Sequence, residues 1–193
     1  GLSGLCWCVF RRKKERDIVI MNAKLGIFKT KPSATTPSFA TQQSACFDIS
    51  ACLTDDKIKA YSALNQQIEI DCCSFDENNT PQVTIPSYFR VLIPTGLVFD
   101  IPKGYSIRIH PRSGLSFKQG IVLANSEGVI DSDYIHECFI MVKNDSLDRV
   151  TIKHGDRIAQ GELVKSLDYT IEECYTNPVQ KTDRNGGFGS TGV

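Results

Sequence analysis

The sequence predicts an all-β fold, a β-sandwich or barrel, on three observations. Short segments of alternating or compact apolar residues recur along most of the chain. Each is bounded by Pro, Gly, Asn or Asp, as in Pro94-Thr95-Gly96 and Pro102-Lys103-Gly104, which are turn formers. No long amphipathic helical pattern interrupts them, and several short strands at close spacing read as a sandwich or barrel.

The first strand candidate is Ala45-Cys46-Phe47-Asp48-Ile49-Ser50, which alternates in polarity. Lys57 to Gln66 carries spacing compatible with a turn or two of helix. Gln67-Ile68-Glu69-Ile70 alternates again. Residues 53–88 together read as an insertion or long hairpin, with Asp76-Glu77-Asn78-Asn79 at its tip. Compact apolar strands come next at Arg90–Ile93, Leu97–Ile101, Tyr105–Ile109 and Phe139–Val142. Val150–Lys153 and Glu162–Val164 complete the set. The chain ends in Arg184-Asn185-Gly186-Gly187-Phe188-Gly189-Ser190-Thr191-Gly192-Val193. Glycine in an element interior costs about 1 kcal/mol relative to alanine, so this segment is no core element. It reads as a glycine-rich arm able to wrap a phosphorylated ligand and lay one ring on a base, or as a plain disordered tail.

With 193 residues, one domain with a sizeable core is expected. Lys plus Arg equal Asp plus Glu at 22 each, which gives no electrostatic reason for a nucleic-acid polymer as partner. No run of ~20 apolar residues suggests a membrane span. The eight cysteines form no C-x-x-C pair and no zinc-type Cys/His spacing, and no secretory signal is evident. Free thiols in a reducing intracellular compartment are the expectation. Residues 1–20, with Arg11-Arg12-Lys13-Lys14, look foreign to the rest of the chain and read as an extension, Met21 being a candidate start. The main β domain then spans 21–176 and the arm 177–193.

Three stretches carry the chemistry. Pro111-Arg112-Ser113-Gly114-Leu115 comes after a strand, where guanidinium, hydroxyl and backbone N–H groups can hold a phosphate oxygen; a plain surface turn is the alternative. Asn125-Ser126-Glu127-Gly128-Val129-Ile130-Asp131-Ser132-Asp133-Tyr134 is the densest polar run. Its Asn125 offers both a donor and an acceptor, Asp131 can accept a proton from water, and Tyr134 can stack on a sugar. A polar turn capped by Asp131 is the alternative there. In Gly155-Asp156-Arg157-Ile158-Ala159-Gln160, Gln160 can face a site while Asp156 and Arg157 pair across the turn.

Taken together these segments resemble the trimeric dUTPase family. Five of its patterns occur in order: Ala45-Cys46-Phe47-Asp48-Ile49, Pro111–Leu115, Gly128–Tyr134, Gly155–Gln160 and the tail from Arg184 to Gly192. The likeness covers about Lys24 to the end. It implies a jelly-roll-like subunit that assembles as a homotrimer through heterologous contacts, with active sites shared between subunits and the glycine-rich arm crossing to a neighbour. The implied reaction is hydrolysis of dUTP to dUMP and pyrophosphate, which limits uracil in DNA and supplies dUMP for thymidylate synthesis. Water attacks the α-phosphorus, and Mg²⁺ is carried on the triphosphate.

By the same resemblance, Asp131 is the general base. Asn125 and the backbone at Gly128 and Ile130 read uracil, Tyr134 packs on deoxyribose, and Phe188 covers the base. Arg112, Ser113, Gly114, Gln160, Arg184, Gly189, Ser190 and Thr191 contact phosphates. Asp48 holds Mg²⁺ through bound water, which fits the reluctance of that ion to lose its waters.

The chain departs from the family pattern at several points. Phe47 stands where tyrosine is usual, which an inward-packed ring tolerates. Ser116 replaces a small apolar residue. His136 replaces a glycine, which brings strain if that position needs a positive φ. Three residues separate Arg184 from Phe188, one fewer than usual. Two rival functions fit the residues less well. A dCTP deaminase needs an arginine at Ser116 and a glutamate at Met141, and methionine cannot shuttle a proton. Against a non-catalytic dUTPase-like nucleotide-binding regulator, the presence of Asp48, Asp131 and Tyr134 together argues that catalysis is kept.

Overall fold

The computed structural model of the chain describes residues 23–72 and 74–183. The extension expected over residues 1–20 and the arm residues Arg184, Phe188, Gly189, Ser190 and Thr191 lie outside the described residues.

In chain order the strands are β1 (Gly26–Lys29), β2 (Ser38–Phe39), β3 (Phe47–Ser50), β4 (Lys57–Tyr61), β5 (Gln67–Asp71), β6 (Ser74–Phe75), β7 (Pro81–Ile85), β8 (Arg90–Pro94), β9 (Leu97–Asp100) and β10 (Tyr105–His110). One short helix, α1 (Ser113–Gln119), precedes β11 (Ile121–Leu123), β12 (Gly128–Ile130), β13 (Phe139–Asn144), β14 (Val150–Lys153) and β15 (Arg157–Lys165). The fold is jelly-roll-like. One five-stranded sheet runs β12-β10-β15-β3-β2 and another β11-β13-β8-β4-β5, alongside a three-stranded β14-β7-β6 sheet and a β1-β9 pair. Every pairing among the described strands is antiparallel.

Alternation builds the core. In an antiparallel strand successive side chains point to opposite faces. Thus Ile107 and Ile109 of β10, Phe47 and Ile49 of β3, and Ile158 of β15 are buried. Val91 and Ile93 of β8, with Ile140 and Val142 of β13, supply the other large sheet's share of the same apolar cluster. The three-stranded sheet adds Val83, Ile85 and Ile152.

Lys57–Gln66 forms no helix. Lys57–Tyr61 is strand β4, with Ile58 and Ala60 buried and Lys57, Lys59 and Tyr61 exposed. Burial of a two-residue alternation against β8 outweighs the helical preference of Lys and Ala. Residues 62–66 are the turn to β5, with Asn65 at φ 61°. Segment 53–88 thus contributes β4 and β5 to one large sheet and β6 and β7 to the three-stranded one. The β6–β7 turn is closed by Asp76, whose Oδ1 accepts the N–H groups of Asn78 at 3.0 Å and Thr80 at 2.9 Å.

Phe47 is 5% exposed, edge-on to Phe39 and tilted against Phe99. The ring packs inside, so the tyrosine hydroxyl is not missed. His136 does not have a positive φ, and the strain expected there does not arise. Ser116 of α1 donates its hydroxyl to the Ile121 carbonyl at 3.0 Å, which ties the helix to β11. Among the described residues, no helix is long and apolar enough to cross a membrane.

Candidate active site

One cleft forms where the β11–β12 turn leans over β13. Ala124 N–H donates to the Met141 carbonyl at 2.8 Å, which pins the turn to that strand. Ser126 takes φ 64° to reverse the chain, and β12 then pairs with β10 from Gly128. The floor is apolar, from Leu123, Ile109, Ile130 and Ile140, and Asn125 and Asp131 stand at its polar edge. A Cβ at Gly128 would sit 3.0 Å from the Ile109 Cβ, so this backbone lies close against its neighbour strand. The cleft holds 220 Å³, below the ~300–1,000 Å³ of pockets that enclose a drug-sized ligand. It is too small to enclose a ligand of that size on its own.

Asp131 is exposed at the rim, and no described residue bonds its carboxylate. Its carbonyl accepts the Tyr134 N–H at 3.2 Å, which closes a turn between the two. The Tyr134 hydroxyl donates to the Glu137 carbonyl at 3.1 Å and its ring meets His136 edge-on at 5.6 Å. These contacts fix the tyrosine at the mouth. Cys138 also lines the cleft, but burial first and the Glu137 charge second push its thiol up to about 12. It stays protonated at neutral pH and offers no thiolate nucleophile.

A second cleft of 390 Å³ opens between β3, β15 and the start of α1, lined by Asp48, Arg112, Ser113, Gly114 and Gln160 with Cys46. Asp48 and Gln160 are cross-strand partners. Gln160 donates Nε2 to the Pro111 carbonyl at 3.0 Å, which holds the loop bearing Arg112 against the sheet. Arg112 Nε lies 3.1 Å from Asp48 Oδ1, and Arg157 Nη1 donates to Asp48 Oδ2 at 3.0 Å. Two guanidiniums therefore converge on one carboxylate. This leaves a local excess of positive charge, the condition for binding a phosphate chain.

The predicted residues fall into two groups. Asn125, Gly128, Ile130, Asp131 and Tyr134 share the first cleft, and Asp48, Arg112, Ser113, Gly114 and Gln160 share the second. No residue lines both. The Asp156–Arg157 pair is not formed; Asp156 accepts the Lys153 N–H at 2.8 Å instead. Arg157 turns to Asp48 where a β-bulge between Arg157 and Ala159 breaks the alternation. Sequence reading missed this role of Arg157, because a bulge leaves no trace in a period-two pattern. It also missed the cleft wall from Leu92, Phe139 and Met141, which alternation in β8 and β13 could have placed on one face. A larger cavity of 460 Å³ beside Tyr61 and Arg90 shares Leu92 and Met141 with the first cleft but holds none of the predicted residues.

The dUTPase family model matches residues 73–192. That stretch contains both clefts except for Asp48 and its neighbours.

The chain belongs to the dUTPase family.

A deoxyuridine 5′-triphosphate nucleotidohydrolase of Finegoldia magna is 44% identical over 140 residues, which cover 72% of this chain and 94% of that protein. Among solved dUTPases, that of Staphylococcus bacteriophage 80alpha with dUPNHPP superposes with a TM-score of 0.64 at 21% identity, covering 88% of this chain and 99% of the other. A mutant dUTPase from phage phi11 of S. aureus, described with a structural Mg(II) ion, gives 0.61 at 18% identity, covering 81% and 99%. The dUTPase fold thus carries both clefts of this chain on antiparallel strands.

Proposed function

We infer that this member of the dUTPase family hydrolyses dUTP to dUMP and pyrophosphate, in sites assembled between the subunits of a homotrimer. The observation that carries the reading is the division of the chemistry. One cleft has an apolar floor with Asn125 and the exposed carboxylate of Asp131 at its rim, and another gathers Arg112, Arg157 and Gln160 around Asp48. The first suits a base and sugar, and the second suits a phosphate chain. A trimer built on heterologous contacts brings the first cleft of one protomer against the second cleft of its neighbour.

In this reading Asn125 presents its amide to the imide edge of uracil, and the backbone from Gly128 to Ile130 closes around the ring. A hydrogen-bonding site of this kind discriminates strongly against a base that leaves its groups unpaired. Tyr134 packs on the deoxyribose. Asp131, unbonded at its carboxylate among the described residues, orients a water and takes its proton as the water attacks the α-phosphorus. The P–O bond to the β-phosphate breaks, and pyrophosphate leaves with the electron pair. Arg112, Ser113, Gly114 and Gln160 hold the phosphates. The arm brings Phe188 over the base, with Arg184, Gly189, Ser190 and Thr191 on the outer phosphates.

Asp48 is a single carboxylate with both oxygens already against guanidinium groups. This donor set makes no all-protein magnesium cage, but it fits an ion that arrives on the triphosphate with its waters. Asp48 would hold Mg²⁺ through those waters, and the ion would neutralise charge on the phosphate oxygens. Among the described residues, Cys46, Cys52, Cys138 and Cys174 form no disulfide, which suits a reducing compartment.

The test is nucleotide selectivity. Purified protein with Mg²⁺ should release pyrophosphate from dUTP and leave dCTP, dTTP and UTP nearly untouched. Absence of turnover on dUTP defeats the enzyme reading, and ammonia from dCTP would replace it with a deaminase.

A further inference from the structure

A third cluster lies one rung along the sheet from Asp48. Cys46 Sγ, a nitrogen of His110 and a carboxylate oxygen of Glu162 all lie within 4.8 Å of one another. The strand register places them there. Gln160 pairs with Asp48 and Gly161 with Phe47, so the next pair outward sets Cys46 beside Glu162. Across the β10–β15 ladder Arg108 pairs with Glu162 and His110 with Gln160. Cys46, His110 and Glu162 therefore project from one half-buried face, opposite the face that buries Phe47 and Ile109.

The two ring nitrogens of His110 face two different carboxylates. Its Nε2 is 3.3 Å from Glu162 Oε2, and its Nδ1 is 3.7 Å from Glu127 Oε1. Glu127 is in turn 3.9 Å from Arg108. One ring nitrogen thus faces the cluster while the other faces a separate carboxylate at 3.7 Å, which on closing to hydrogen-bond distance would fix the tautomer of a metal ligand and raise its basicity.

We propose that Cys46, His110 and Glu162 form a Zn²⁺ site with Glu127 as the carboxylate that orients His110, the fourth position being taken by water. The donor set is thiolate, imidazole and carboxylate, which suits zinc and not magnesium. Bonds of about 2.0–2.3 Å in a tetrahedron put ligand atoms roughly 3.3–3.8 Å apart. His110 and Glu162 already meet that spacing, and Cys46 closes the remainder by rotation of its side chain. On binding, the thiol proton leaves to solvent, and the thiolate and carboxylate balance the charge of the ion. The ion would join β3, β10 and β15 directly beside the phosphate cleft, whose wall Cys46 shares with Asp48. This site is independent of the dUTPase reading, since its donors do not include the residues assigned to dUTP.

The experiment titrates chelator-treated full-length protein with Co²⁺ and then Zn²⁺. A saturable one-to-one complex with a thiolate-to-cobalt charge-transfer band and tetrahedral visible bands is expected, with zinc displacing cobalt. Cys46→Ser should lose the charge-transfer band, which separates Cys46 from the other cysteines. Glu127→Gln should retain the band but weaken zinc binding about 10–100-fold, as loss of an orienting partner does. Glu162→Gln, which preserves shape, should also weaken binding and serves if Cys46→Ser fails to fold by circular dichroism. No charge-transfer band in the parent, or a band that survives in Cys46→Ser, overturns the site and leaves an ion-pair network around His110. Unchanged zinc affinity in Glu162→Gln overturns it as well.

Discussion

Gly161→Ala tests how the polar face of β15 is held in place. Gly161 lies between Gln160 and Glu162 and points inward. A Cβ there would stand 2.5 Å from two ring carbons of Phe47 and 3.3 Å from Ile49 Cδ1. Carbon atoms rest about 3.5–4.0 Å apart, so one of the partners must move by about 1 Å or more. The ring has little room to yield, because Phe39 meets it at 6.2 Å and Phe99 at 6.0 Å between centroids. Overpacking of this kind costs about 1–3 kcal/mol, and the crowding here argues for the upper half. Removing a glycine from a strand interior returns about 0.5–1 kcal/mol, so the net loss is about 1–2.5 kcal/mol. Urea unfolding at fixed protein concentration should show a midpoint lowered by roughly 0.5–1.2 M for a slope near 2 kcal/mol/M. Phe47→Leu removes the colliding ring, so the double variant should be more stable than the sum of the two singles predicts, by about 1 kcal/mol. A Gly161→Ala protein as stable as the parent, or strictly additive variants, would refute the packing argument.

Other predictions concern the clefts and the turn behind them. Asp131→Asn should lower kcat for dUTP by about 10²–10⁴-fold, as expected for loss of a general base, while KM for dUTP changes little; substantial residual turnover would point to another base. Arg112→Gln removes one charge-assisted contact worth about 1.5–3 kcal/mol and should lower kcat/KM about 10–100-fold without changing far-UV circular dichroism. Deletion from Arg184 onward should cut turnover sharply yet leave the trimer mass intact in light scattering, and loss of the trimer would make the arm structural. Asp76 is drawn from 3.8 down to about 2, first by its bond from Lys153 and then by the Thr80 N–H. A depressed folded pKa stabilises above the ordinary carboxylate value and is lost as pH falls through the folded one. The stability gap between parent and Asp76→Asn should therefore narrow as pH drops toward 2, and a gap constant with pH would exclude the Lys153 pairing as its cause.

Legibility in the sequence depends on burial. Tyr105–Ile109 and Arg90–Ile93 show themselves because one or both faces meet the core. Strand β4 carries a helix-compatible pattern because Lys and Ala favour helix, and contact with β8 overrides that preference. The strands β11 and β12 have three residues each, too few to display a period. The residues of the two clefts are legible because turn chemistry and functional groups sit together in short runs. The Arg157–Asp48 bond and the Cys46–His110–Glu162 cluster join positions more than fifty residues apart. Such pairs are set by strand register, which one-dimensional spacing does not encode.

The separation of the two clefts has a genetic consequence. On the proposed site shared between subunits, a subunit that keeps the base-binding half and one that keeps the phosphate-binding half should each be inactive alone, yet each would hold what the other lacks. Co-refolding Asp131→Asn with Arg112→Gln would produce mixed assemblies in which some sites regain two intact halves. Two defective alleles could then complement each other within one oligomer, and a single defective allele would poison sites it does not itself encode in full.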